Sequence, residues 1–215
     1  MLVRDRMTID PVTIKAEVSV TEALRLMNEK KIRRLPVLDG EGNLIGIVSD
    51  RDLLLASPSP ATSLAIWEIH DLLAKLTVDK SMTRKVITVT EETPLEEAAR
   101  VMVDAKVGGL PVMRGKTLVG IISESDLFKT LLELLGGRRA GVRITVSTPG
   151  AKGTLAEITK AIYEAGGDIV GLGFKEEAAA GNPWVNTFKV QGVAKDKLVE
   201  AMRPHVLEIL DVRES

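Results

Sequence analysis

Apolar and polar positions in the first 135 residues follow an order that occurs twice. Each unit opens with a β-branched stretch, at residues 12–14 and 87–89, which predicts a strand. A segment with apolar residues about one helical turn apart comes next and predicts an amphipathic helix. Two apolar stretches around a turn predict a pair of strands, and a last helix follows. The predicted order in each unit is β-α-β-β-α.

The two units are copies of one another. Residues 7–40 align without gaps with residues 82–115, and residues 44–53 align with residues 118–127; 19 of these 44 aligned positions are identical. Self-similarity of this kind indicates a duplicated structural unit. The predicted boundaries are 1–60 for the first repeat, 61–75 for an amphipathic linker helix and 76–135 for the second repeat.

The last third of the chain has a different pattern. A glycine-rich, basic linker at 136–141 separates it from the repeats. Over residues 142–215, alternating apolar stretches and two amphipathic segments predict the order β-α-β-β-α-β. That order is a ferredoxin-like topology, so the predicted fold class of the whole chain is α+β.

Composition excludes several chemistries. The 215 residues include 29 Lys+Arg against 30 Asp+Glu, two histidines and no cysteine. Near-neutral charge argues against an electrostatic nucleic-acid partner, and the absence of cysteine excludes disulfides, thiolate nucleophiles and cysteine-bound metals. No apolar run approaches the roughly 18 residues of a membrane span, so we expect a cytoplasmic protein. The scarcity of Asn, Gln and Cys suggests a thermophilic source.

A Ser-x-x-Asp pair occurs in both repeats where a strand is predicted to enter the last helix. The pairs are Ser49 with Asp52 and Ser123 with Asp126. At such a junction a serine hydroxyl can donate to a phosphate or ribose oxygen, and an aspartate can accept both hydrogens of a ribose diol. The alternative is that each serine is a helix N-cap and each aspartate complements the helix dipole.

Basic residues distinguish the first repeat from the second. Arg33 and Arg34 precede the first Leu-Pro-Val, where the second repeat has a glycine pair that includes Gly109. Arg51 is replaced by Ser125. Because arginine suits bidentate phosphate recognition, a site that uses these three arginines should prefer more phosphate. The alternative is a solvated basic patch.

Both repeats resemble CBS domains, and the tandem resembles a CBS pair. The resemblance rests on Leu-Pro-Val at 35–37 and 110–112, and on Gly-Ile-x-Ser-x-x-Asp-Leu at 46–53 and 120–127. It implies two clefts between the repeats that commonly take adenosine nucleotides, with the segment leading into each first strand facing the adenine. The predicted nucleotide-binding residues are Thr13, Arg33, Arg34, Pro36, Ser49, Arg51, Asp52, Thr88, Gly109, Pro111, Ser123 and Asp126.

The C-terminal segment resembles an ACT domain through Pro149-Gly150, Gly153-x-Leu155 and Gly166-Gly167. The resemblance implies an amino-acid site at the loop between the first strand and the first helix, commonly across a dimer interface. Here Ala151-Lys152 is inserted, which alters that loop. A CBS pair followed by an ACT domain resembles the acetoin utilization B protein family over the whole chain.

These observations favour a non-catalytic, ligand-sensing regulatory protein. We expect it to bind AMP, ADP or ATP without a required cofactor or a metal, and to form a homodimer by resemblance. The first alternative is an enzyme of acetoin metabolism, although no NAD fingerprint, thiamine motif or lipoyl motif occurs. The second alternative is a structural adaptor whose clefts stay empty.

Overall fold

The computed structural model describes residues 1–56, 76–176 and 183–214. The predicted linker helix over 61–75 therefore lies outside the described residues. The chain divides into two compact units, residues 1–127 and 128–215, which are described separately below. Within the described ranges, no helix has the length and apolar character needed to cross a membrane.

The N-terminal unit contains the two repeats in the predicted order. The first repeat comprises β1 (Thr8–Ile9), β2 (Ile14–Lys15), α1 (Val20–Lys30), β3 (Arg34–Leu38), β4 (Leu44–Ser49) and α2 (Asp50–Ala56). The second repeat comprises α3 (Leu95–Ala105), β5 (Gly109–Arg114), β6 (Thr117–Ser123) and α4 (Glu124–Leu134). Its expected first strand is reduced to a single parallel bridge between Val89 and Val112. The N-terminal unit ends at Leu127, within α4.

Local hydrogen bonds explain where the first helix of each repeat begins. The Ser19 hydroxyl accepts a hydrogen bond from the Glu22 N–H at 3.2 Å, so Ser19 is the N-cap of α1. In the second repeat Pro94 occupies the N-cap position of the helix that begins at Leu95. The preceding residue Thr93 accepts a hydrogen bond at Oγ1 from the Thr90 N–H at 3.1 Å.

Each repeat contributes a segment to the other repeat's sheet. Strand β1 pairs antiparallel with β6, which forms a three-stranded sheet in the order β1-β6-β5. Thr83, the residue equivalent to Thr8, forms the matching bridge with Ile47 in β4. The sheet that contains β4 has the order β2-β3-β4. The exchange makes the two repeats one interlocked body.

Glycines in β4 and β6 allow these exchanged segments to approach closely. A Cβ atom at Gly46 would lie 2.5 Å from Met82 Sδ, and one at Gly120 would lie 2.6 Å from Met7 Sδ. Both distances are shorter than side-chain packing tolerates. The glycine-methionine contact therefore occurs twice: each repeat contributes the glycine to one contact and the methionine to the other.

Two apolar clusters hold the N-terminal unit. Leu35 and Met27 belong to the first, and Leu110 and Met102 to the second. The methionines of α1 and α3 are 2% and 3% exposed, as the helical spacing of apolar residues predicts. Each cluster joins the helix and strands of one repeat with residues of the other repeat, Met82 in the first cluster and Val3 in the second.

The C-terminal unit has the predicted order of elements. It contains β7 (Val142–Thr148), α5 (Thr154–Glu164), β8 (Asp168–Glu176), β9 (Trp184–Gln191), α6 (Lys195–Met202) and β10 (Glu208–Glu214). The strands form one antiparallel sheet in the order β10-β7-β9-β8. Alternate residues of β7, such as Ile144 and Val146, pack against Ile158 of α5 and Leu198 of α6, so both helices cover the same face.

Replacement of Leu35 by alanine should destabilise the protein by about 2–5 kcal/mol, because the side chain is fully buried and its loss leaves a cavity. Urea denaturation followed by circular dichroism measures this free energy of unfolding. Leu55→Ala is the matched control, since Leu55 is 75% exposed, and should change the free energy by less than about 0.5 kcal/mol. Equal losses in the two variants would contradict the assigned core.

Candidate functional site

A cavity of about 600 Å³ lies between the two repeats of the N-terminal unit. The first repeat lines it with Arg33, Arg34 and the segment Ser49–Asp52. The second repeat lines it with residues from 83–87 and from 105–111. We call this space the inter-repeat cavity. It lies within the size range of about 300–1,000 Å³ that is typical of small-molecule sites.

The inter-repeat cavity collects part of the predicted nucleotide-binding set. The predicted residues that line it are Arg33, Arg34, Ser49, Arg51, Asp52, Gly109 and Pro111. The predicted residues that do not line it are Thr13, Pro36, Thr88, Ser123 and Asp126. Ser123 and Asp126 occupy the equivalent strand-to-helix junction of the second repeat, so the structure separates the two Ser-x-x-Asp pairs.

Ser49 and Asp52 are held by reciprocal hydrogen bonds. The Ser49 N–H and hydroxyl donate to Asp52 Oδ2 at 2.9 and 2.7 Å, and the Asp52 N–H donates to Ser49 Oγ at 3.2 Å. The N-cap interpretation of Ser49 is therefore confirmed. The same two residues line the cavity, so the capping contacts also fix the position of the Asp52 carboxylate at its wall.

The second repeat repeats this geometry. The Ser123 N–H and hydroxyl donate to Asp126 Oδ2 at 3.0 and 2.6 Å. The pair thus has the same local structure at both strand-to-helix junctions. What differs between the repeats is the set of basic residues nearby.

Arg34 extends from β3 across the glycine pair of the second repeat. A Cβ atom at Gly108 would lie 1.8 Å from Arg34 Nη2, and one at Gly109 would lie 3.1 Å from Arg34 Cδ. Burial lowers the pKa of Arg34; nearby Glu124 opposes that shift and Arg33 adds to it. The position of the Arg34 guanidinium therefore depends on the absence of a side chain at Gly108, while Gly109 leaves room for the Arg34 Cδ.

Arg33 of the first repeat also forms a hydrogen bond with the second repeat. Its Nη2 donates to Ser125 Oγ at 3.3 Å, beside the second Ser-x-x-Asp pair. Arg51 is exposed at the start of α2 and lines the inter-repeat cavity. The structure thus brings together all three arginines that the sequence singled out.

Sequence reasoning missed two further cations in the cavity wall, Lys85 and Lys106. Lys85 follows the exchanged residue Thr83, and Lys106 ends α3 with a left-handed backbone at φ 55°. Their proximity depends on the exchange of segments between repeats, which no local pattern shows. The cavity wall carries these five cations against the two carboxylates of Asp50 and Asp52.

A smaller cavity of about 230 Å³ lies in the C-terminal unit. It is lined by the loop after β7, including Gly150 and Lys152, and by Asn186 and Trp184 of β9. Asn186 is buried, and its Nδ2 donates to Thr148 Oγ1 at 2.7 Å. This is the loop at which the ACT resemblance places an amino-acid site.

Comparison with known proteins identifies the N-terminal unit. The family model described as "CBS domain" matches residues 3–59 and 74–133. The chain belongs to the CBS domain family. Because the family matches twice, the CBS domains are in tandem, as the internal repeat predicts.

Two relatives show how far the similarity extends. A CBS domain-containing protein of Dictyostelium discoideum is 38% identical over 139 residues, which cover 63% of this chain and 94% of the relative. L-aspartate semialdehyde sulfurtransferase of Methanocaldococcus jannaschii is 30% identical over 141 residues, which cover 64% of this chain but only 24% of the enzyme. The similarity to that enzyme is therefore to a part of it.

Three solved structures share the fold of the CBS pair. CBSX2 in complex with AMP is 34% identical, with a TM-score of 0.50, and covers 61% of this chain and 96% of its own. The CBS pair of MJ0100, in complex with 5′-methylthioadenosine and S-adenosyl-L-methionine, is 28% identical, with a TM-score of 0.52. The similarity covers 65% of this chain and 98% of that chain. A Vibrio cholerae protein assigned to acetoin utilization (AcuB) is 33% identical, with a TM-score of 0.53. The similarity covers 64% of this chain and 95% of that chain.

Ser49→Ala should destabilise this CBS protein by about 1 kcal/mol, because the Asp52 N–H loses its hydroxyl acceptor at the start of α2. Thermal and urea unfolding measure the change. Ser49→Thr keeps a hydroxyl and should retain most of the stability. If the alanine variant is as stable as the threonine variant, the capping role is wrong.

Proposed function

We propose that this CBS protein is a ligand-sensing regulator that binds an adenine nucleotide (AMP, ADP or ATP) in the inter-repeat cavity. The observation that carries the proposal is the composition of that cavity. One wall presents the fixed carboxylate of Asp52, and the neighbouring wall presents the guanidinium groups of Arg33 and Arg34. A nucleotide offers the two groups that these side chains recognise, a ribose diol and a phosphate.

The chemistry of each wall suits one part of the ligand. Asp52 Oδ2 is occupied by the contacts from Ser49, while Oδ1 has no hydrogen-bond donor among the described residues and remains an acceptor for ribose hydroxyls. The guanidinium groups can bind phosphate oxygens through paired N–H donors.

The relatives support an adenosine ligand. CBSX2 was solved with AMP, and the CBS pair of MJ0100 with two other adenosine compounds. These three ligands share the adenosine group and differ in what its 5′ carbon carries. For this chain we propose that the adenosine group enters the same kind of cleft between the repeats.

We propose a regulatory rather than a catalytic role. The chain has two histidines and no cysteine, and among residues 1–56, 76–176 and 183–214 no acidic or histidine cluster is placed to hold a metal. A ligand that binds two arrangements of the protein unequally shifts their populations. Sensing therefore needs a binding site and a second conformation, without any reacting group.

Similarity to the Vibrio cholerae protein supports a link to acetoin utilization. The two competing hypotheses, an enzyme of acetoin metabolism and an adaptor with empty clefts, make different predictions. The enzyme would turn over acetoin as a pure protein, and the adaptor would show no thermal shift with any nucleotide. A homodimer, the cytoplasm and a thermophilic source remain our predictions for its state, compartment and origin.

Calorimetry with AMP, ADP and ATP tests the nucleotide proposal. We expect the wild type to bind, and Asp52→Ala to weaken binding by tenfold or more, about 1.4 kcal/mol, because it removes the ribose acceptor at the cavity wall. Asp126→Ala is the matched control: it makes the same change at the equivalent position, outside the cavity, and should leave the affinity of this cavity within about threefold. No binding to the wild type would end the nucleotide proposal.

We also propose that residues 142–215 form an ACT domain that binds an amino acid in the smaller cavity. The cavity beside Gly150 and Asn186 supports this, because it lies at the strand-to-helix loop and is lined by a buried amide. Lys152, one of the two inserted residues, also lines it. The inserted residues Ala151 and Lys152 therefore line the proposed amino-acid site and change its shape.

Tryptophan fluorescence tests the amino-acid site. Trp184 lines the cavity, with its ring centroid 5.5 Å from that of Phe174, so a bound amino acid should change its emission. The Trp67→Phe variant leaves Trp184 as the single tryptophan. Titration with each standard amino acid should give a saturable change for one chemical class, and Asn186→Ala should abolish it. A flat response to all of them would contradict the proposal.

A further inference from the structure

The arginine pair at 33–34 exists in only one of the two duplicated repeats. The equivalent residues of the second repeat are Gly108 and Gly109. Arg34 lies across these glycines, so the side chains of one repeat fill space left by the other. The asymmetry gives one cavity an unusual concentration of guanidinium groups.

The arginines of the inter-repeat cavity differ from other arginines of the same unit. Arg84 pairs with Asp79 at 2.7 Å, and Arg114 pairs with Glu91 at 2.8 Å. The guanidinium groups of Arg34 and Arg51 form no ion pair or hydrogen bond with any residue that the structure describes, and Arg33 contacts only the neutral hydroxyl of Ser125. The cavity thus holds guanidinium groups that form no ion pair with a carboxylate among the described residues.

Arg34 is the most informative of the three because it is half-buried. Burial removes water from a guanidinium, and the adjacent Arg33 adds repulsion, so the pKa of Arg34 is lowered. The carboxylates of Glu124, Asp50 and Asp52 act in the other direction, although none of them forms an ion pair with Arg34 among the described residues. An anion in the cavity would replace the lost hydration and offset the repulsion.

We propose that the inter-repeat cavity selects a nucleoside di- or triphosphate over a monophosphate, and that Arg34 determines this preference by contacting the phosphates beyond the first. The inference rests on the proposed nucleotide site and adds the class of its ligand. Five cations, Arg33, Arg34, Arg51, Lys85 and Lys106, and two carboxylates, Asp50 and Asp52, line the cavity, which leaves an excess of three positive charges. The phosphate of AMP brings only about two negative charges. Each further phosphate adds charge-assisted hydrogen bonds to partially desolvated donors.

Calorimetric titration of the full chain with adenosine, AMP, ADP and ATP tests this preference. We expect ADP or ATP to bind at least about tenfold more tightly than AMP, and AMP more tightly than adenosine. The comparison of ADP with ATP distinguishes a diphosphate from a triphosphate ligand. Arg34→Ala should reduce the affinity for the favoured polyphosphate by about tenfold and that for AMP by less than about threefold.

Two further variants act on the same guanidinium without relying on Arg34→Ala. Arg34→Lys keeps the charge but removes the planar pair of donors, so it should give an intermediate preference. Gly108→Ala leaves the charge unchanged, but its Cβ would occupy the position of Arg34 Nη2, so the flexible end of Arg34 must move. It should shift the ratio of polyphosphate to AMP affinity in the same direction as Arg34→Ala.

Lys30→Ala is the matched control for charge. Lys30 is exposed at the end of α1 and does not line the cavity, so its removal should leave the affinity ratio unchanged. Equal affinities of the wild type for AMP and ATP, or a ratio that Lys30→Ala lowers as much as Arg34→Ala, would overturn this inference while the nucleotide site stands. Binding of none of the four compounds would overturn the proposed function itself.

Discussion

The N-terminal unit depends on a contact that is made twice, a methionine of one repeat packed on a glycine of the other. Met82 lies on Gly46 and Met7 lies on Gly120, and each contact brings an exchanged segment to the edge of a sheet. A Cβ atom at either glycine would force the methionine to shift and would also crowd the carbonyl oxygen of the exchanged segment, Thr83 O at 3.3 Å and Thr8 O at 3.0 Å. The exchange carries residues 83–87 into the cavity wall, where they face the Ser49–Asp52 pair. The exchange of segments therefore both joins the two repeats and supplies part of the cavity wall.

The two repeats have nearly the same backbone but carry different basic side chains, and these two features have separate roles. In both repeats the serine N–H and hydroxyl donate to the aspartate carboxylate, at Asp52 and at Asp126, and these contacts hold the start of the helix that follows. The basic residues at 33–34 have no capping task and differ between the copies. The duplicated frame thus provides two similar junctions, and the arginines make one of them distinctive in charge.

Much of the fold was predictable because it follows from local periodicity. The helical spacing that ends in Met27 and Met102, and the order β-α-β-β-α-β of the last third, are patterns of single segments. The pairing of Thr8 with Ile121 was not predictable, because a two-residue strand has no period and its partner is distant in sequence. Lys85 and Lys106 were missed for that reason. Arg33 and Arg34 were found, since the difference between the repeats is visible in sequence alone.

Arg34 and Gly109 are equivalent residues that lie in contact, and this has an evolutionary consequence. A Cβ atom at Gly109 would lie 3.1 Å from Arg34 Cδ, so a larger residue there would require the arginine side chain to shift. Identical arginines at both positions would also bring two positive charges together. A substitution at either position should therefore change the effect of a substitution at the other, which is epistasis between equivalent positions of the duplicated repeats.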